Sequence, residues 1–107
     1  MSEVTRKAFV MRVTPGHADD YERRHKPVWP EVEEMIKASG ITNYSIFFDP
    51  DTHMLFGYME IASQDAYESA HHTPTLQRWW DSMAEHMDTN PDNSPVQHDL
   101  REVFHLP

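Results

Sequence analysis

The sequence ITNYSIFFDPDTHMLFGYMEI, residues 41–61, decides the fold. Its two halves, 41–48 and 54–61, are rich in β-branched and aromatic residues, a composition typical of strands. Between them, Asp49-Pro50-Asp51 is a turn sequence. The stretch therefore predicts an antiparallel β-hairpin, and Gly57 inside its second strand indicates either a close approach of another group or a bulge.

Outward from the hairpin, each flank adds one strand and one helical segment that is broken in two. Apolar residues recur with helical spacing in these segments, and Pro, Gly, Ser and Asp punctuate them. The predicted elements are, in order, a strand at 8–13, helices at 17–25 and 30–39, the hairpin, helices beginning at Ser63 and at 74–87, and a last strand at 100–106.

The element order β-α-β-β-α-β is that of the ferredoxin-like split βαβ fold of the α+β class. It predicts a four-stranded antiparallel sheet with helices on one face, formed by a single domain over residues 1–107. Both faces of the first strand carry apolar side chains: Phe9, Met11 and Val13 on one, Ala8 and Val10 on the other. A face without helices needs other cover. We therefore expect a homodimer through the sheet, in the arrangement of a dimeric α/β barrel.

Composition excludes several classes of function. A formal charge of −9 argues against binding to nucleic acid or to an anionic membrane surface, since both need Lys and Arg. The chain has no cysteine, which excludes disulfides and thiolate catalysis. There is no apolar run long enough to span a membrane, and the first residues, MSEVTRK, lack the apolar core of a signal peptide. A cytoplasmic location is the expectation.

The sequence YERRHKPVWP, residues 21–30, carries the strongest candidate for chemistry. Tyr21 and His25 are four residues apart and therefore neighbours on one helical face. Pro27 is expected to end or kink that helix, and Pro30 to occupy the first turn of the next. Histidine exchanges protons near neutral pH. The pattern leaves two interpretations open: an imidazole at the edge of a cleft, or a surface pair with Trp29 filling the core.

A second candidate is the adjacent pair Trp79-Trp80. Neighbours on a helix point about 100° apart, so one indole can lie in the core while the other borders a pocket, where it would stack on a sugar ring. The alternative is that both are core residues. The eight histidines include no HxxxH or HExxH spacing, and His71-His72 are adjacent, so no metal site is predicted. GxSxG, GxGxxG and P-loop motifs are also missing, which argues against a nucleotide cofactor.

Several separated motifs together resemble the L-rhamnose mutarotase family. They are RKAFVMRV from Arg6, YERRHKPVWPE from Tyr21, NY at Asn43-Tyr44, QRWW at Gln77 to Trp80, NPDNSP at Asn90 to Pro95, and EVFHLP at Glu102 to Pro107. The likeness runs from about Arg6 to the C-terminus with similar spacing. Residues 1–5 are left as a flexible N-terminal extension, and the hairpin turn DPDTH has no counterpart.

The resemblance implies a dimeric ferredoxin-like isomerase that interconverts the α and β anomers of L-rhamnose without a cofactor or metal. By motif, His25 is implied as the proton donor, and Tyr21, Tyr44, Trp79 and Trp80 as sugar-contacting residues. The base that removes the anomeric proton is left unassigned. Two alternatives from other classes stay open: a monooxygenase of the dimeric α/β-barrel kind, and a non-catalytic sugar-binding module.

Overall fold

The computed structural model describes residues 4–107. Four strands and four α-helices follow one another there in the predicted order, with two helices in each helical segment. The prediction of a flexible extension over residues 1–5 lies outside the described residues for positions 1–3, and Thr5 is already paired with Ile61. The elements are β1 (Thr5–Arg12), α1 (Ala18–Arg24), α2 (Pro30–Ala38), β2 (Ile41–Asp49), β3 (Met54–Ile61), α3 (Gln64–Ala70), α4 (Pro74–Met83), a short 3-10 helix (Ala84–His86) and β4 (His98–Leu100).

The strands form one antiparallel sheet in the order β2-β3-β1-β4 within the described residues. This order confirms the ferredoxin-like fold, with the hairpin on one side of β1 and the last strand on the other. At Gly57, a Cβ atom would lie 2.3 Å from Cζ of Phe9 on the paired strand. Gly57 therefore marks a close approach. The bulge of β2 lies elsewhere, between Thr42 and Ser45.

The helix boundaries follow the predicted punctuation. α1 ends at Arg24 with His25 as its C-cap, ahead of the cis Lys26-Pro27 bond, and α2 begins with Pro30 in its first turn. Ser63 caps α3, since its hydroxyl accepts a hydrogen bond from the Ala66 amide at 3.2 Å. The predicted helix at 74–87 is shorter than expected: α4 ends at Met83, and the next residues form the 3-10 turn.

The core lies between the helices and one face of the sheet. Of the two apolar faces predicted for the first strand, the one with Phe9, Met11 and Val13 points into this core, because all three are buried. Ala8 and Val10, on the opposite face, are only half-buried. Among residues 4–107 there is no helix long and apolar enough to cross a membrane.

The prediction of a last strand at 100–106 is wrong in its position and length. β4 covers His98–Leu100, and residues 101–107 have no regular structure and are exposed. Leu100 already pairs with Ala8, so a longer β4 could pair only with residues 5–7 at the start of β1. There Arg6 makes a two-pronged side-chain ion pair with Glu102, at 2.7 and 3.0 Å. The apolar residues of this tail suggested a strand, but no other part of residues 4–107 covers the tail, which is exposed throughout.

Candidate active site

The end of α1 positions the imidazole of His25. Its Nδ1 lies 2.8 Å from the carbonyl oxygen of Tyr21, and the two rings stack with centroids 4.4 Å apart and an angle of 27°. A carbonyl oxygen only accepts, so Nδ1 must carry a proton. In the neutral ring this leaves the lone pair on Nε2. The i, i+4 spacing seen in the sequence therefore fixes the tautomer of the histidine as well as its position.

One indole borders this pair, and a second indole packs behind the first. The ring of Trp79 meets His25 edge-on at 5.4 Å and 85°, and Trp29 meets Trp79 at 5.1 Å and 82°. Trp29 lies between Pro27 and Pro30 and is the N-cap residue of α2. Tyr21 is buried and His25 half-buried. Of the two interpretations that the sequence left open, the structure favours the cleft edge, because a solvated surface pair would have no aromatic wall.

A cavity of about 1430 Å³ lies between the helices and the sheet and brings the predicted site residues together. Trp79 is buried and Trp80 half-buried, so the pair divides its roles as the helical geometry allows. The cavity is wider than one monosaccharide requires, given that ligand pockets typically measure about 300–1,000 Å³. Its lining includes all five predicted residues: Tyr21, His25, Tyr44, Trp79 and Trp80.

Desolvation favours the uncharged forms of these groups. Burial raises the pKa of the Tyr21 phenol, with a smaller contribution from Tyr44. Desolvation also raises the pKa of the Tyr44 phenol, although 37% of that residue is exposed, and Tyr67 adds a smaller effect. Burial lowers the pKa of His25 below its usual value, and the hydrogen bond to the Tyr21 carbonyl opposes this only in part. Protonated phenols and a neutral imidazole suit an uncharged ligand rich in hydroxyl groups.

The polar loop at 90–95 forms part of the rim, which the sequence alone did not indicate. Gln77 on α4 donates hydrogen bonds to the Asp92 carbonyl and to Asp81, both at 2.9 Å, and Asn93 donates to Asp81 at 3.0 Å. These bonds hold Asp92, Asn93 and Ser94 against the cavity. Turn chemistry was recognisable in NPDNSP, but its docking on α4 depends on contacts between distant segments.

A second tyrosine–histidine pair was missed. His71 Nδ1 lies 2.9 Å from the Tyr67 carbonyl, with the ring centroids 4.6 Å apart, and both residues line the cavity. Each pair closes the first helix of its helical segment, His25 as the C-cap of α1 and His71 as the C-cap of α3. The signal was present in the sequence, because YESAH at 67–71 repeats the spacing of YERRH at 21–25.

Comparison with known proteins identifies the family of this chain. The family model described as L-rhamnose mutarotase matches residues 6–106. A protein of Opitutus terrae named L-rhamnose mutarotase is 54% identical over 101 residues, which cover 94% of this chain and 97% of the relative. One of Shigella flexneri with the same name is 47% identical over 102 residues, covering 95% and 98%.

Solved structures show which known proteins share this fold. The crystal structure of an L-rhamnose mutarotase from Formosa agariphila superposes with a TM-score of 0.88 at 38% identity, covering 96% of this chain and 99% of that one. A Bordetella bronchiseptica protein described as a putative antibiotic biosynthesis monooxygenase superposes with a TM-score of 0.70 at 14% identity, covering 95% and 99%. At that identity the second likeness concerns the fold alone.

Proposed function

Because this chain belongs to the L-rhamnose mutarotase family and is therefore an isomerase that interconverts the α and β anomers of L-rhamnose, we propose that His25 moves the protons of that reaction. The observation that carries the proposal is the hydrogen bond from His25 Nδ1 to the Tyr21 carbonyl. It leaves Nε2 as the ring nitrogen available to a sugar, in a cavity walled by indoles and phenols.

The reaction needs one proton removed and one delivered at neighbouring oxygens. A neutral His25 takes the proton of the anomeric hydroxyl at Nε2, the bond between the anomeric carbon and the ring oxygen breaks, and a carbonyl forms. The imidazolium then donates the same proton to the freed ring oxygen. Rotation about the adjacent carbon–carbon bond and the reverse steps close the ring to the other anomer. The hydroxyl oxygen and the ring oxygen are both bonded to the anomeric carbon, so the single Nε2 atom can exchange a proton with each. His25 is therefore still the proton donor that the resemblance implied.

Binding and orientation of the sugar are assigned to the aromatic residues. Tyr21 and Tyr44 keep their protons and can donate hydrogen bonds to hydroxyl groups. The indole of Trp80, half-buried at the cavity wall, offers a flat apolar surface to the carbon-bound hydrogens and the methyl group. Trp79 supports His25 from the side. A monooxygenase role has only the shared fold in its favour, and a non-catalytic module would bind L-rhamnose without accelerating its exchange.

The pH dependence of exchange tests whether neutral His25 starts the reaction. Because burial lowers the pKa of His25 below about 6.5, the neutral form predominates at pH 7 and above. The catalysed rate is therefore expected to be flat from pH 7 to 8 and to fall in acid, through a pKa below about 6.5. Saturation-transfer NMR on L-rhamnose measures this rate, and the rate in the same buffer without protein is subtracted.

Acid itself accelerates mutarotation, so the matched control is a His25→Ala variant carried through the same pH series. A catalysed rate that instead rises as the pH drops below 6 would contradict the proposal, since it would make the imidazolium the form that starts the reaction.

We further propose that the protein is a homodimer that packs sheet against sheet. On the face away from the helices, paired positions of three neighbouring strands place Phe47, Phe56 and Val10 in a row. Phe47 is 66% exposed and Phe56 38%, which is costly for a contiguous apolar patch in water. The tail residues Val103 and Phe104 are about four-fifths exposed as well. A second copy on this face would cover the sheet and give the tail a surface to pack on.

Phe47→Glu is expected to weaken the dimer by a factor of about 100 or more, since a carboxylate without a partner would be buried in each of two symmetric copies. Analytical ultracentrifugation over a concentration series measures the dissociation constant. Ser69→Glu on the exposed side of α3 makes the same charge change away from the sheet and should leave assembly unchanged. If Phe47→Glu associated as tightly as the parent, the sheet face would not be the interface.

A further inference from the structure

A cluster of metal-ligating side chains lies outside the sugar cavity, where the start of α1 meets the 3-10 helix after α4. The Nδ1 atoms of His17 and His86 are 3.0 Å apart. One ligand atom from each of His17, Asp20 and His86 lies within 4.8 Å of the other two. A separate cavity of about 550 Å³ opens onto these three residues.

His86 is poorly satisfied in the structure. The residue is only 5% exposed, and its Nε2 has no hydrogen-bond partner among residues 4–107. If His86 donates its Nδ1 proton to His17, Nε2 is a buried acceptor without a donor; if His17 donates, Nε2 carries a proton without an acceptor. Both tautomers leave a buried polar atom unpaired, which is unfavourable. A carboxylate lies nearby without forming a hydrogen bond: the Oε1 atom of Glu85 is 3.5 Å from Nε2.

We propose that His17, Asp20 and His86 bind a divalent transition-metal ion. In a tetrahedral zinc site with Zn–N distances of 2.0–2.1 Å, two ligand nitrogens stand about 3.3 Å apart, close to the 3.0 Å observed. An ion held by both Nδ1 atoms would take the place of the hydrogen between the two rings. It would also leave the remaining proton of His86 on Nε2, 3.5 Å from the Glu85 carboxylate, and a carboxylate is a usual outer partner of a metal-bound histidine.

The surrounding charge selects the kind of ion. Asp20 and Glu85 bring two negative charges to this cavity, and Arg23 and Arg24 bring two positive ones, so the four cancel. Arg23 also pairs with the Oδ1 atom of Asp20, leaving the second carboxylate oxygen for an ion. Attraction by net charge is thus small, and affinity must come from imidazole nitrogen. That favours Zn²⁺, Ni²⁺ or Cu²⁺ over Mg²⁺ and Ca²⁺, which prefer oxygen ligands.

Such an ion would join two separate parts of the active-site wall. His17 is the N-cap of α1, and Asp20 lies in its first turn. Tyr21 directly follows Asp20, and His25 is the C-cap of the same helix. His86 follows α4, which carries the tryptophan pair. A shared ion would hold α1 against this segment from outside the cavity. Sequence spacing did not reveal the site, because the two histidines are 69 residues apart.

The test is a calorimetric titration of the metal-free protein with Zn²⁺, alongside Co²⁺ titration followed by visible absorption. We expect one ion per chain, with Co²⁺ bands typical of nitrogen and oxygen ligands. His17→Ala and Asp20→Asn, which leave the buried His86 in place, should each weaken binding by about tenfold or more. Excess Mg²⁺ should not compete.

His98→Ala is the matched control, because it removes an exposed histidine of β4 and should leave the affinity unchanged. The proposal fails if Zn²⁺ does not saturate a site at one ion per chain, if His17→Ala binds as the parent does, or if Mg²⁺ displaces the ion. These readouts do not depend on the rate of anomer exchange and therefore stand apart from the role of His25.

Discussion

Replacing His25 by alanine is expected to lower the protein's acceleration of anomer exchange by about 10²- to 10⁴-fold, the usual contribution of one acid–base group. The variant loses the only atom that the proposed reaction uses to accept and return a proton. Sugar contacts from Tyr44 and Trp80 remain, so L-rhamnose should still bind with similar affinity. Saturation-transfer NMR measures the exchange rate, and titration calorimetry measures binding.

A second substitution separates proton transfer from positioning. In His25→Asn the side-chain amide can still donate to the Tyr21 carbonyl, but it cannot take up a proton near neutral pH. It should be as inactive as the alanine variant. Asp19→Asn, an exposed change on the same helix, should retain full activity. If His25→Ala accelerated exchange as well as the parent, the assignment would be refuted, although family membership would be unaffected.

Trp79→Ala is expected to destabilise the fold by about 3–5 kcal/mol, the range for truncating a buried large aromatic residue. Trp79 is 9% exposed and packs edge-on against both Trp29 and His25. Its removal would open a void between α4 and the end of α1. A domain of this size is typically stable by only about 5–15 kcal/mol, so the loss is a large fraction of the total.

The adjacent residue provides the matched comparison. Trp80 is half-buried, so Trp80→Ala should cost a smaller amount, roughly 1–3 kcal/mol, and should act mainly on sugar binding. Urea denaturation measures both at one fixed protein concentration, because a dimer's apparent stability varies with concentration. Equal losses of unfolding free energy in the two variants would mean that the indoles do not divide their roles between core and pocket.

Local sequence patterns were sufficient for most of the elements and for the pairing of Tyr21 with His25. The hairpin, the helix start at Ser63 and the break at Pro27 depend on the conformational preferences of a few adjacent residues, and the structure has each of them. The stacking of Tyr21 and His25 also follows from spacing, because residues at i and i+4 meet on any helix. The last strand was misplaced because its apolar residues look the same in the sequence whether a layer of the fold covers them or not.

What the sequence by itself determined is therefore the order of strands and helices, the fold class, and the residue types available for proton transfer. The tertiary structure alone decided that Trp79, backed by Trp29, packs against His25. It also decided that Gln77 holds the loop at 90–95 on the rim and that His17 meets His86. The physical reason is the separation along the chain over which each kind of interaction acts. Backbone preferences and helical periodicity act over a few residues, whereas these contacts join segments far apart in the chain, whose separation is set only when the sheet and helices bury a common core.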